Sequence, residues 1–263
     1  MEYRRLGKKG PRVSAVGLGT GQFGAKGWGY GTLYGDLQIA NVIDAAIGAG
    51  TTLIDTSETY GSGRSEVLIG EALRRHNRDD VVVVTKVAPW NLSYDRVIRA
   101  AEKSLARLQV GEIDLYLVHY SNPFISMKET FRAMERLVTM GKVRQIGVSN
   151  FGRFLIGRAM KSLPRSEIVV NEIEYNLLSR RAENFTIPFC LKNGIGIIGF
   201  SPLAGGILTG SFSAESRAPG RARAFNLTNS RSSLKGAVPL LLFLEELARK
   251  KGVSVAQVRW GSS

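Results

Sequence analysis

The sequence contains a single cysteine, Cys190, so no disulfide can form within the chain. That fits a reducing compartment and leaves the fold to its core and its hydrogen bonds. No apolar stretch follows the basic residues of "MEYRRLGKKG", so the start does not read as a secretory signal. The longest apolar run, "VPLLLFLEEL", is too short to span a bilayer and is interrupted by two glutamates. Linkers, low-complexity tracts and tandem motifs are also missing. A single domain over residues 1–263, soluble and cytoplasmic, is the expectation. Acidic residues are scarce: 22 Asp and Glu stand against 36 Lys and Arg, a formal net charge of +14. Such a surface draws in nucleotides, phosphorylated metabolites or other anions, and it equally describes a basic, solvated surface. Nucleic acid is not favoured as a partner, because regular aromatic interleaving and any recognised binding motif are lacking.

What is present is a regular alternation. Short β-branched runs occur at "AVGLGT", "TLIDTS", "VVVVTK", "DLYLVH", "VRQIGVS", "IVVNEIEY" and "IGIIGFS". Several are almost wholly apolar, as strands buried on both faces are. Helical patterns lie between them, near 38–49, 64–75, 93–109, 127–140, 152–162 and 182–193, with Gly50, Gly111, Gly141 and Gly194 marking ends. Repeated βα units imply a parallel sheet, and seven of them favour an α/β fold of the (β/α)₈ TIM-barrel type over an open sheet. "YRRLGKKGPRVSAVGLG" reads as an N-terminal β-hairpin that caps the barrel bottom.

In such a barrel the chemistry gathers at the C-terminal strand ends. In "LIDTSETYGSGRSEVLIGEAL" a strand ends on Asp55 and the following loop carries Tyr60. Lys86 ends the next strand, His119 the one after, Ser149 and Asn150 follow, and Glu172 lies within the sixth. Each has an ordinary explanation: a turn cap for Asp55, solvent for Lys86, packing for His119 and Tyr60. Together they form a coherent acid. A phenol has a pKa of about 10; the Lys86 ammonium would lower it, Asp55 would hold that ammonium, and His119 would orient a carbonyl oxygen. Reduction then needs a hydride, which none of these side chains supplies and a nicotinamide does. No cluster suggests a metal site.

"VSAVGLGTGQFG", "IDTSETYGSGRSEVLIGEAL", "DLYLVH", "IGVSNF", "EYNLLSR" and "FSPLAGGILTG" occur in the order found in the aldo-keto reductase superfamily. Over nearly its whole length the chain resembles the branch of bacterial and archaeal general reductases and potassium-channel β-subunits. The resemblance implies a (β/α)₈ barrel that uses NADP(H), with NAD open as an alternative, to reduce small-molecule aldehydes or ketones. It places the catalytic tetrad on Asp55, Tyr60, Lys86 and His119, with Tyr60 as proton donor. It assigns Ser149 and Asn150 to the nicotinamide carboxamide, Phe200 to ring stacking, Ser201, Leu203 and Gly205 to the pyrophosphate, and Gly19 and Thr20 to the ribose. "GLGTG" is not a GxGxxG fingerprint, and this family does not use one.

The chain departs from the family pattern in three places. Glu172 stands where glutamine is usual beside the nicotinamide. Ser211 replaces a lysine of the usual "LTGKY". The S-x-x-Q pair Ser254 and Gln257 announces a helix, yet no eighth strand follows, so the barrel reads as truncated before that strand. The basic loop "GSFSAESRAPGRARAFNLTNSRSSLKG", with Arg217, Arg221, Arg223, Arg231 and Lys235, would be either a substitute phosphate site or a solvated loop. An unpaired barrel seam leaves a homo-oligomer open. Trp28, Tyr30 and Trp90 would be substrate walls or packing residues. The competing reading is a nucleotide-binding regulatory subunit with slow or no turnover.

Overall fold

The computed structural model describes residues 1–209 and 231–260, with the side chains at 231–235 and 259–260 left aside. It comprises two compact units, Met1–Ile173 with Ala182–Ile198, and Glu174–Arg181 with Gly199–Ser263.

The first unit opens with the antiparallel hairpin β1 (Tyr3–Arg5) and β2 (Arg12–Ser14). A seven-stranded sheet follows in strict sequence order: β3 (Leu18–Gly19), β4 (Leu53–Asp55), β5 (Val82–Val87), β6 (Ile113–Val118), β7 (Val143–Ser149), β8 (Ile168–Glu174) and β9 (Gly196–Phe200). The pairs from β3 to β8 are parallel. Helices α1 (Asp36–Gly48), α2 (Arg64–Leu73), α3 (Tyr94–Leu108), α4 (Met127–Thr139), α5 (Arg153–Lys161) and α6 (Ala182–Lys192) connect them. Seven parallel strands with flanking helices form a nearly closed TIM-type barrel. No pairing joins β9 to β3 among the described residues.

The period-two alternation of the strands sorts their side chains. Outward residues such as Ile54, Val83, Tyr116, Val118, Ile146 and Val148 pack with helix residues including Ile69, Leu105 and Met134. Inward residues Leu53, Val84, Leu115, Leu117 and Val170 form a second cluster with Leu6 and Val13 of the hairpin. The hairpin therefore plugs the N-terminal end, as expected. Its turn is pressed close: Lys8 N donates to Gly194 O at 2.7 Å, and a Cβ on Gly7 would stand 2.4 Å from that oxygen. The inward face then decides what the strand tops display. Two residues above Leu53 comes Asp55, above Val84 comes Lys86, above Leu117 comes His119, and above Val170 comes Glu172.

Helix α3 shows how sequence spacing becomes packing. Val97, Ala100, Ala101, Ser104, Leu105 and Leu108 are buried at i, i+3, i+4, i+7, i+8 and i+11. Its end corrects one expectation: Gln109, not Gly111, takes the left-handed conformation at φ 56° and returns its N–H to Leu105 O. Glycine is preferred there but not required. Gly50, Gly141 and Gly194 do adopt positive φ beyond their helices.

In the second unit, α7 (Arg231–Lys251) sets Ala237, Leu241, Leu244 and Ala248 on one stripe against Ala204, Ile207, Leu208 and Val258. Helix α8 (Val255–Trp260) begins with the expected reciprocal cap: Ser254 N donates to Gln257 Oε1 at 2.8 Å, and Gln257 N to Ser254 Oγ at 3.2 Å. The basic loop expected to run through Gly236 stops earlier, because residues 231–236 are helical. The apolar stripe downstream extends that helix back over them. Ser211, Arg217, Arg221 and Arg223 lie outside the described residues. No helix among the described residues is long and apolar enough to cross a membrane.

Candidate active site

Asp55 is fixed from below and from the side. Its backbone carbonyl accepts both the N–H and the hydroxyl of Thr20, at 2.9 and 2.8 Å. Ser65 Oγ donates to Thr20 Oγ1 at 2.8 Å and lies 2.9 Å from Thr56 Oγ1. Thr20, Thr56 and Ser65 are fully buried, so this hydroxyl cluster ties the exits of β3 and β4 to the first turn of α2. Thr20, assigned to the ribose by resemblance, here secures Asp55. Gly19 is exposed at the end of β3.

The chain then turns through Ser57 into a short 3₁₀ turn, Tyr60–Gly63, where Gly61, Ser62 and Gly63 all have positive φ. Gly61 has no substitute, since a Cβ there would stand 2.7 Å from Phe23 O. This turn aims Tyr60 back over the barrel mouth. Lys86 rises to meet it, fully buried on β5. Its Nζ donates to Asp55 Oδ1 at 2.6 Å, to Thr56 O at 2.9 Å and to Tyr60 Oη at 3.3 Å. The nitrogen also lies 5.0 Å from the Tyr60 ring centroid. His119, just past β6, meets Tyr60 edge-on with ring centroids 5.8 Å apart.

The structure thus brings together the four residues of the expected tetrad. It adds two contacts that sequence reasoning missed. Ser57 Oγ lies 3.1 Å from His119 Nδ1, which orients the imidazole. The available signal was position: Ser57 stands two residues beyond Asp55, but a serine in a turn is ordinary. Glu172 Oε2 lies 3.2 Å from Lys86 Nζ. Asn150, with φ 61°, donates its N–H to Glu172 O at 2.7 Å and its amide to Ser149 Oγ at 2.9 Å.

Electrostatics follow from burial. Desolvation works against the Lys86 ammonium, but Asp55 and then Glu172 outweigh it, and the pKa stands raised. Desolvation raises the Tyr60 phenol well above its ordinary 10.0, with Lys86 opposing and Asp55 and Glu172 adding to the rise. This reverses the sign expected from sequence: Lys86 pulls the phenol down, but burial is stronger. His119 is pushed down to about 4 by burial and then by Lys86, so it is neutral near pH 7. Glu172 is pushed up to about 8 by burial and by Asp55.

Phe200 ends β9, and its carbonyl accepts from Tyr175 N at 3.2 Å. Ser201 has φ 52° and its carbonyl accepts from Asn176 Nδ2 at 3.0 Å. Leu203 leads into a 3₁₀ segment, Ala204–Thr209, in which Ala204, Gly205 and Gly206 have positive φ. These residues fall in the second unit, as does α7. Of the aromatic candidates, Tyr30 packs edge-on against Tyr34 and Trp90 is exposed. A cavity of about 610 Å³, bordered by Arg78, Val82, Gly111, Asp114 and Arg144, opens at the N-terminal strand ends, away from the tetrad. Among the described residues, no group of three or more His, Cys, Asp or Glu is placed to hold a metal ion.

The strand order and the N-terminal plug define a TIM-type barrel, and comparison with known proteins gives its class, an oxidoreductase. The pattern of the aldo/keto reductase family matches residues 15–260, and the chain belongs to that family. It is 37% identical over 249 residues to an uncharacterized oxidoreductase of Mycobacterium tuberculosis, Rv2298, covering 94% of this chain and 76% of that one. The crystal structure of the thermostable aldo-keto reductase Tm1743 with the inhibitor epalrestat superposes with a TM-score of 0.77 at 33% identity, covering 98% of this chain and 83% of that one. A Klebsiella pneumoniae aldo/keto reductase in complex with NADP and acetate gives a TM-score of 0.71 at 32% identity, covering 97% and 78%.

Proposed function

We propose that the chain reduces aldehydes or ketones to alcohols with NADPH, and that Tyr60 delivers the proton. The observation that carries this reading is the buried Lys86 ammonium held between Asp55 Oδ1 at 2.6 Å and Tyr60 Oη at 3.3 Å. When bound, a reduced nicotinamide supplies the hydride to the carbonyl carbon. The chain's own task is the oxygen. As charge develops there, the Tyr60 O–H is the acid that quenches it, and the resulting phenolate is stabilised by the Lys86 N–H already aimed at it. Asp55 keeps that ammonium charged and in place. The neutral His119, turned by Ser57, directs its other ring nitrogen toward the same oxygen.

The residues present suit such a cofactor. Ser149 and Asn150 offer a hydroxyl and an amide at a strand top, the donor and acceptor types that a carboxamide needs. Glu172 accepts when ionised and donates when protonated. The successive positive-φ residues Ala204, Gly205 and Gly206 form a turn of the kind that gathers backbone N–H groups around a phosphate oxygen. NADP is favoured over NAD because the Klebsiella relative was solved with NADP. Gly19, Phe200, Ser201 and Leu203 complete the proposed cofactor set, while Thr20 serves it indirectly by holding Asp55.

A second reading, a nucleotide-binding regulatory subunit with slow turnover, draws support from the raised pKa of Tyr60, which makes it a weak acid. The two separate in one experiment: fluorescence titration with NADPH and NADH, then steady-state NADPH oxidation with a reactive aldehyde. Tight NADPH binding with ready turnover supports the enzyme, whereas tight binding without turnover overturns it in favour of the regulatory subunit.

A further inference from the structure

The Lys86 ammonium has three protons and four acceptors. Asp55 Oδ1 at 2.6 Å, Thr56 O at 2.9 Å and Tyr60 Oη at 3.3 Å account for the three N–H bonds. Glu172 Oε2 lies 3.2 Å from the same nitrogen yet has no hydrogen bond of its own, and its side chain is 2% exposed. An ionised carboxylate oxygen left without a hydrogen bond in such a place is costly. With Asp55 and Glu172 both ionised around one ammonium, the buried cluster would carry a net negative charge. One proton removes both costs, because it neutralises the cluster and gives Glu172 an O–H to donate.

The groups facing Glu172 are few. β4 contributes Asp55, β5 contributes Lys86, and Tyr60 completes the cluster. β7 ends in the uncharged Ser149, and β9 carries no titratable residue. Burial and then the Asp55 charge push Glu172 up to about 8, consistent with a proton retained at neutral pH.

We propose that Glu172 is a positioning residue that acts through Lys86: protonated, it donates to Asp55 and leaves the third Lys86 N–H to Tyr60; ionised, it competes with Tyr60 for that N–H. This deepens the reductase reading and rests on it only for its kinetic consequence. Reduction should then slow as pH rises through about 8, and the slowing should come from Glu172.

The test uses the full chain with carbon-13 labels at glutamate carboxyls and tyrosine Cζ, in wild type and Glu172→Gln. One carboxyl should titrate near pH 8 in the wild type and be missing in the variant. The Tyr60 Cζ resonance, assigned with Tyr60→Phe, should move with that titration and stay flat in Glu172→Gln. In turnover, the alkaline fall of kcat near that pH should vanish in Glu172→Gln. The proposal is overturned if no carboxyl titrates above about pH 6, if Tyr60 ignores the titration, or if the kinetic fall survives in the variant. If the protein shows no carbonyl reduction at all, the reductase reading fails by itself and the two resonance titrations decide this proposal.

Discussion

Replacing Lys86 with methionine keeps most of the side-chain volume and removes the charge from the centre of the site. Lys86 is fully buried and lies within 2.6 Å of Asp55 and 3.2 Å of Glu172. Removing one partner from a buried ionic cluster costs about 3–5 kcal/mol, because the remaining charges are left uncompensated. Here the Asp55 carboxylate would lose its ammonium in low dielectric beside a Glu172 held protonated, so the loss should fall within that range at neutral pH. The sign with pH follows by linkage. Without the ammonium, a proton on the buried carboxyl cluster takes over the neutralising role, so the variant recovers stability as pH falls and loses it as pH rises. The deficit of Lys86→Met should therefore be small near about pH 4 and largest near about pH 7. Urea unfolding of both proteins across that range measures it. A deficit under about 1 kcal/mol, or one of equal size at both ends, would refute a buried ammonium that balances the Asp55 carboxylate.

Other consequences are simpler. Gly147→Ala places a methyl 2.4 Å from Leu117 Cδ2 and 2.5 Å from Val170 Cγ1, directly below Ser149. It should destabilise by about 1–3 kcal/mol in thermal or urea unfolding, and a neutral result would mean the interior is looser than described. His119, depressed to about 4 from 6.5, should show its imidazole resonance titrating near that lower value. Its contribution to stability should be present above pH 6.5 and lost as pH falls through about 4, and titration near 6.5 would contradict its burial beside Lys86.

Much of this fold was legible because its signals are local. Short, almost wholly apolar runs that give way to polar residues mark Asp55, Lys86, His119 and Ser149 near strand tops, and the structure puts Asp55 and Ser149 at the ends of β4 and β7, Lys86 one residue before the end of β5 and His119 just past β6. The hairpin plug was legible from the Gly10-Pro11 turn signal between its two short strands. What was hidden depended on contacts distant in sequence. The approach of Glu172 to Lys86 joins β8 to β5, and no spacing within either strand reveals it. The net effect on Tyr60 depends on depth of burial, which the sequence order of charges does not encode. Helix α7 was obscured by Pro239 and by the Ser- and Gly-rich approach to it; its apolar stripe at Leu241, Leu244 and Ala248 becomes evident only against Ile207 and Leu208. The first strand, expected across "AVGLGT", shrinks to Leu18–Gly19, where glycines on either side of Leu18 weaken pairing.

The central claim is that the Tyr60 hydroxyl is the acid, and Tyr60→Phe tests it most directly. The substitution keeps the ring that faces His119 and removes only the oxygen that lies 3.3 Å from Lys86 Nζ. NADPH oxidation with a reactive aldehyde should fall at least about 10²-fold, the lower end of what a positioned general acid contributes, while NADPH affinity stays within about twofold. Turnover near the wild-type rate in Tyr60→Phe, with the fold intact, would contradict the mechanism and move the proton to another donor.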